Sequence, residues 1–107
     1  MERVGFKLKL KPNLKEEYKK RHDEIWPEMT EVLNKAGIHN YTIWLIENDL
    51  FGYYETEDND YAVKYQNESA VVKKWNVYMS TVIDSITNKD GSVSGVVIPA
   101  EQMFLHK

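Results

Sequence analysis

The first positions of the chain alternate between apolar and polar or small residues. The apolar positions are Val4, Phe6, Leu8 and Leu10. A period of two is typical of a strand with one buried face. After residue 13 the spacing changes, and apolar or amphipathic residues recur every three or four positions as far as Ala36, which predicts helix.

Proline and glycine divide this helical stretch. Pro27 disfavours the helical conformation at Trp26, the residue before it. We therefore expect a break near residues 23–27, with Pro27 opening a second helical stretch that ends at Gly37.

The rest of the chain predicts a hairpin, more helix and a closing strand. Residues 38–46 are dense in aromatic and β-branched types, and residues 50–55 follow a short turn as their hairpin partner. Helical periodicity resumes at roughly 60–67 and 69–83. Residues 84–98, with Gly91, Gly95 and several Ser, are expected to form a long loop, and residues 103–106 a final strand.

The order strand, helix, strand, strand, helix, strand predicts an α+β fold. It is the ferredoxin-like βαββαβ arrangement, a four-stranded antiparallel sheet with helices on one face. A chain of 107 residues fits a single domain over positions 1–107. The other sheet face needs cover, and a second copy of the sheet would supply it, so we expect a homodimer, a dimeric α+β barrel.

Composition narrows the possible chemistry and location. The chain has no cysteine, which excludes disulfides and thiolate chemistry and fits a reducing compartment. No uninterrupted apolar stretch suggests a signal peptide or a membrane span. We expect a cytoplasmic protein with no membrane partner.

Charge is unevenly distributed along the chain. Residues 1–21 hold eight Lys or Arg and three Asp or Glu, whereas the remainder holds six and fourteen. A basic segment can mark a nucleic-acid surface. The acidic remainder would repel phosphate, so we read the basic residues as a solvated strand edge and helix face and expect no nucleic-acid partner.

Tyr18 and His22 are the first candidates for chemistry. They are four residues apart on the predicted helix, so their side chains lie on one face, together with the apolar residues. Histidine titrates near neutral pH and is the usual general acid or base. The ordinary alternative is a core histidine hydrogen-bonded to a backbone carbonyl.

Tyr41, Trp75 and Asn76 extend this candidate site. Tyr41 lies on the strand expected under the helix, and Trp75 lies on the apolar stripe of the later helix. Aromatic rings suit the apolar faces of a sugar, and Asn76 offers a donor and an acceptor. The alternative is that these aromatic side chains only fill the core.

A metal or cofactor site is not expected. His39 and His106 complete the three histidines, and none has the short spacing of a metal motif. Glycine-rich phosphate loops, nucleophile elbows and dinucleotide fingerprints are absent as well. The chemistry left to the chain is proton transfer.

Several strings along the chain resemble L-rhamnose mutarotases. Glu17-Tyr18-Lys19-Lys20-Arg21-His22, followed by Ile25-Trp26-Pro27-Glu28, is similar to the first-helix signature of that family. Gly37 to Tyr41 resembles the entry to the family's second strand, and Leu50 to Glu55 resembles its third strand. Lys74-Trp75 with Tyr78-Met79 resembles its last helix, and Glu101 to Leu105 resembles its closing strand.

The resemblance implies a fold, a reaction and roles for residues. It implies a dimeric ferredoxin-like unit that interconverts the α and β anomers of L-rhamnose, a monosaccharide, without cofactor or metal. His22 would be the acid/base residue, and Tyr18, Tyr41 and Trp75 would hold the sugar. Many members have a second tryptophan after the one that matches Trp75, and this chain has Asn76.

Other functions fit the same pattern and stay open at this point. The departure at Asn76 allows a mutarotase for a related sugar. Ferredoxin-like dimers also include monooxygenases and isomerases of aromatic or lactone substrates, which is an analogy of fold alone. A non-catalytic sugar-binding module is the third alternative.

Overall fold

The computed structural model describes residues 1–107 as six strands and four helices. The strands are β1 (Glu2–Lys9), β2 (Ile38–Ile46), β3 (Asp49–Thr56), β4 (Ser85–Thr87), β5 (Val93–Gly95) and β6 (Ile98–Ala100). The helices are α1 (Lys15–Asp23), α2 (Pro27–Lys35), α3 (Asn59–Glu68) and α4 (Ala70–Met79).

The main sheet has four antiparallel strands in the order β2-β3-β1-β6. β1 pairs with β3 along its whole length, from Glu2 opposite Thr56 to Lys9 opposite Asp49. This is the ferredoxin-like topology predicted from the sequence, with a pair of helices in each helical crossover. The predicted fold class is therefore confirmed.

The helical stretch after β1 breaks where proline requires it. α1 ends at Asp23, α2 begins at Pro27, and Trp26 between them has extended backbone angles (φ −61°, ψ 135°). After α2, Gly37 takes a left-handed conformation (φ 76°) that reverses the chain into β2. The predicted break and the predicted end of this stretch are both confirmed.

One face of the sheet packs against the helices and forms the core. Leu8, Leu10 and Leu50 of the sheet region share a cluster with residues of all four helices, α3 contributing the partly buried Tyr65. The cluster's buried members are Leu10, Tyr18, Met29, Val32, Leu50, Val72, Trp75, Met79, Val82 and Ile83. A second, smaller cluster joins α3 to the sheet through Ala62 and Tyr54.

The last helix is shorter than the periodicity predicted. α4 ends at Met79, whereas the apolar spacing predicts helix as far as residue 83. Val82 and Ile83 are nevertheless buried, at 1 % and 8 % exposure, because the turn after α4 returns them to the core. The apolar character of Val82 and Ile83 therefore reflects their burial in the core and not a helical conformation.

The C-terminal prediction is wrong in two respects. Residues 84–98 are not one long loop, since β4 and β5 form a two-stranded hairpin within them. The closing strand is Ile98–Ala100, which pairs with Gly5 to Lys7, and residues 103–106 form no strand. An apolar run indicates a strand only where an unpaired edge is within reach, and β6 has already taken the edge of β1.

The opposite face of the sheet carries exposed apolar side chains. Trp44, Ile46 and Ile98 are 68 %, 65 % and 53 % exposed. Lys7 and Lys9 lie on the same face, and both approach the Asp49 carboxylate, at 3.6 and 3.1 Å. None of the four helices has the length and apolar character needed to cross a membrane.

Candidate active site

A cavity of about 880 Å³ lies between the helices and the inner face of the sheet. Of its 29 lining residues, 19 are hydrophobic. This volume is within the range of small-molecule sites, which combine an apolar lining with a few convergent polar groups. All five predicted site residues line the cavity: Tyr18, His22, Tyr41, Trp75 and Asn76.

His22 occupies the last turn of α1 with its two ring nitrogens in different surroundings. Nδ1 lies 3.2 Å from the backbone carbonyl oxygen of Tyr18. A carbonyl only accepts, so Nδ1 carries the hydrogen and donates it. In the neutral ring, Nε2 therefore keeps its lone pair and can accept a proton.

The rings of Tyr18 and Trp75 surround His22. Tyr18 lies one turn earlier on α1, with its ring centroid 4.5 Å from the imidazole, and Trp75 meets the imidazole edge-on at 5.6 Å. Burial among these rings lowers the pKa of His22, because the charged imidazolium is poorly solvated there. The neutral ring is thus the favoured form at neutral pH.

Trp75 is held from a second direction by Trp26. The Trp26 ring meets Trp75 edge-on at 5.0 Å and stacks on Tyr78 at 5.4 Å. Trp26 reaches this position because the chain is extended before Pro27. The break between α1 and α2 therefore supports the wall of the cavity, a role that the sequence did not reveal for Trp26.

Two phenols face the same cavity from opposite layers. Burial raises the pKa of Tyr18 to about 12. Tyr41 projects from β2, and its pKa is raised by burial and by the proximity of the Tyr18 and Tyr54 phenols. Both phenols remain protonated at neutral pH and can donate a hydrogen bond to a ligand.

Tyr41 presents two different surfaces. The residue as a whole is 38 % exposed, while its ring contacts Phe6 and Tyr54 at centroid distances of 6.1 and 5.6 Å. Burial nevertheless raises the pKa of the phenol, so the hydroxyl group is less exposed than the residue as a whole. Phe6 and Tyr54 also line the cavity, and sequence reasoning placed neither in the site.

Polar side chains lie around the apolar interior. Asn76 lines the cavity next to Trp75 and is half-buried. Asp23 and Lys19 also line the cavity and pair with each other at 2.9 Å. The sequence predicted that Asn76 belongs to the site because it follows Trp75. Nothing in the sequence indicated that Asp23, which follows His22, would also line the cavity.

The three histidines do not come together. His22 lies in the cavity, His39 on β2 and His106 in the C-terminal segment, and no group of three or more His, Asp or Glu side chains is arranged to hold a metal ion. The structure thus gathers the residues predicted for proton transfer and leaves the other two histidines outside the site.

Fold and site define a ferredoxin-like α+β protein with a neutral histidine in an aromatic ligand cavity. The family model for L-rhamnose mutarotase matches residues 3–106. An L-rhamnose mutarotase of Oceanobacillus iheyensis is 45 % identical over 94 residues, which cover 86 % of this chain and 88 % of that protein. The chain therefore belongs to the L-rhamnose mutarotase family, whose members are carbohydrate isomerases.

Solved structures agree with the fold. The crystal structure of an L-rhamnose mutarotase from Formosa agariphila matches with a TM-score of 0.84 and 32 % identity over 100 % of both chains. Tetracenomycin F2 cyclase of Streptomyces glaucescens matches with a TM-score of 0.67 at 16 % identity, over 100 % of this chain and 98 % of the cyclase. The second likeness concerns the fold alone.

Proposed function

We propose that this protein interconverts the α and β anomers of L-rhamnose by general acid–base catalysis through His22, without a cofactor. The observation that carries the proposal is the environment of His22. Nδ1 is occupied by the Tyr18 carbonyl, and the ring lies in a cavity between Tyr18 and Trp75. A neutral imidazole fixed in one tautomer is suited to take a proton and return it.

Mutarotation requires two proton movements around the breaking of one bond. His22 Nε2 takes the proton from the anomeric hydroxyl as the bond from the anomeric carbon to the ring oxygen breaks, and the ring oxygen gains a proton. The open aldehyde then rotates and the ring closes on its other face by the reverse steps. Tyr18 or a bound water supplies the proton to the ring oxygen.

The cavity walls hold the sugar in place for this exchange. The Trp75 ring offers an apolar face to the sugar's carbon–hydrogen face, while the protonated phenols of Tyr18 and Tyr41 bind hydroxyl oxygens. Asn76 adds an amide that both donates and accepts. The amide favours a hydroxyl of the sugar at this point in the cavity over an apolar group.

The functional unit is a homodimer of one domain over residues 1–107. The exposed Trp44 and Ile46 on the outer sheet face are the argument for a second copy, since sheet-on-sheet packing would bury them. The cavity lining runs from Val4 to Pro99, so one domain accounts for the site. A cysteine-free chain acting on a small sugar also fits the cytoplasm.

Saturation-transfer NMR on a panel of sugars tests the proposal. The protein should accelerate α–β exchange of L-rhamnose, with L-fucose, L-lyxose and D-glucose as comparisons. A higher rate for one of the other sugars would reassign the substrate. Sugar binding with no acceleration for any sugar would indicate a binding module and overturn the enzymatic proposal.

A further inference from the structure

The pairing of β2 with β3 contains one extra residue. Ile38 pairs with Thr56 and His39 with Glu55, but the next pair is Thr42 with Tyr53. Two residues of β2, Asn40 and Tyr41, therefore lie opposite one residue of β3. This is a β-bulge, a feature that occurs often beside active sites because it redirects a side chain.

The bulge decides which face Tyr41 occupies. Ile38, Ile43 and Leu45 all pack against the helix side of the sheet. In a regular strand Ile38 and Ile43 would face opposite sides, since side chains alternate with a period of two. The extra residue resets the alternation, so that Tyr41 joins Ile43 and Leu45 on the cavity side.

Asn40 has the conformation that the bulge needs. Its φ is 50°, in the left-handed region that disfavours most side chains and that asparagine tolerates. Its side-chain Nδ2 donates a hydrogen bond of 2.7 Å to Glu55 Oε1. The other carboxylate oxygen of Glu55 accepts from the Tyr53 hydroxyl, also at 2.7 Å, which fixes the acceptor in place.

We infer that Asn40 is a positioning residue of the active site: its left-handed bulge, held by Glu55, directs Tyr41 into the cavity. The inference rests on the proposed function in that Tyr41 is taken to bind the sugar. Asn40 itself lies on the exposed side of the strand and does not line the cavity. Its effect on binding therefore passes through Tyr41.

A pair of substitutions separates backbone conformation from side-chain loss. Asn40→Val opposes a positive φ because a β-branched residue is strained there, whereas Asn40→Gly accepts it freely. NMR with ¹³C-labelled Tyr and Phe reports the ring contacts of Tyr41 with Phe6 and Tyr54. The distances from the Tyr41 ring centroid to those of Phe6 and Tyr54 are 6.1 and 5.6 Å. These contacts should be lost in Asn40→Val and kept in Asn40→Gly.

Sugar binding, measured by calorimetry with L-rhamnose, gives the functional readout. Asn40→Val should weaken binding about ten-fold, the effect of one lost hydrogen bond, and Asn40→Gly by less than about three-fold. In a Tyr41→Ala background, Asn40→Val should add less than about two-fold, because no phenol is left to misdirect. A purely structural role would give the same loss in both backgrounds.

The outcomes separate this inference from the proposed function. Loss of the ring contacts with unchanged sugar affinity would support the positioning role and overturn the sugar-binding role of Tyr41. Ring contacts that persist in Asn40→Val would overturn the positioning role, whatever the affinity. Should Asn40→Val fail to fold, Asn40→Ala gives the milder form of the same test, with the same ring contacts as its readout.

Discussion

The local surroundings of the His22 imidazole support its proposed role in proton transfer. Nδ1 donates to the Tyr18 carbonyl at 3.2 Å, so only Nε2 is available to accept a proton. Burial between Tyr18 and Trp75 lowers the pKa, which keeps the ring neutral at physiological pH. Burial also raises the pKa of Tyr18 to about 12, so a protonated phenol that can donate a hydrogen bond lies beside the imidazole.

The lowered pKa of His22 predicts the acid limb of the pH–rate profile. In the proposed mechanism the neutral ring is the active form, so catalysed exchange should be constant above pH 7 and should fall as the pH drops through the pKa. Because burial places that pKa below 6.5, the midpoint of the fall should also lie below 6.5. Saturation-transfer NMR from about pH 4.5 to about pH 8.5, a range that spans the titration of histidine, measures this midpoint once the uncatalysed exchange has been subtracted. A midpoint at or above 6.5 would contradict the assigned environment.

Asn76 is expected to contribute affinity through its amide. Asn76→Leu keeps nearly the same volume and removes both hydrogen-bonding groups, so L-rhamnose binding should weaken by roughly three- to ten-fold. Asn67→Leu, on the exposed side of α3, is the matched control and should bind like the wild type. Calorimetric titration compares the three proteins. Equal affinity for Asn76→Leu would remove Asn76 from the sugar contacts.

At the scale of elements, Arg21 joins α1 to the end of α4. Its guanidinium donates to the Tyr78 carbonyl and the Thr81 hydroxyl, pairs with Glu17 at 2.8 Å and lies 4.3 Å from the centre of the Tyr78 ring. The side chain is only 14 % exposed. This connection holds the two helices that carry His22 and Trp75 next to each other.

Replacing Arg21 should therefore destabilise the fold. Arg21→Met should lower the free energy of unfolding by about 1–3 kcal/mol, since it removes the hydrogen bonds that the guanidinium donates to the Tyr78 carbonyl and the Thr81 hydroxyl. Arg21→Lys should recover only part of the loss, because a lysine cannot reproduce the planar fork. Urea unfolding measures each variant, with Lys20→Met on the exposed face as the control, expected within about 0.5 kcal/mol of wild type. A neutral Arg21→Met would show that the connection is dispensable.

The sequence predicted elements best where pattern and turn residues agree. Alternation gave β1, and Pro27 and Gly37 marked the limits of α2. The spacing of Tyr18 and His22 placed both in the cavity because a helix fixes which residues share a face.

The features that escaped prediction depend on contacts distant in sequence. The closing strand is set by the free edge of β1, and nothing local to residues 98–106 reveals which of them reaches it. The place of Trp26 against Trp75 depends on how α2 and α4 pack. The bulge at Asn40 is likewise visible only once β2 is paired with β3.

At the scale of the whole molecule, the outer sheet face predicts self-association. Trp44→Lys puts a charge on the exposed apolar face, where burial against a second copy would leave it without a partner. The variant is expected to sediment as a monomer and the wild type as a dimer. Val77→Lys, which changes an exposed apolar residue of α4, should stay dimeric and serves as the control. A wild-type protein that is monomeric at a protein concentration of about 10–100 µM would contradict the proposed assembly.

The role of His22 is tested most directly by the rate of α–β exchange of L-rhamnose in saturation-transfer NMR, with wild type, His22→Ala and His106→Ala. His106 lies in the exposed C-terminal segment, so its replacement controls for the loss of a histidine as such. Exchange should be fast with wild type and with His106→Ala, and about 10²–10⁴-fold slower with His22→Ala. Full activity of His22→Ala would contradict the proposed role of His22, because the proton would then be carried by another group.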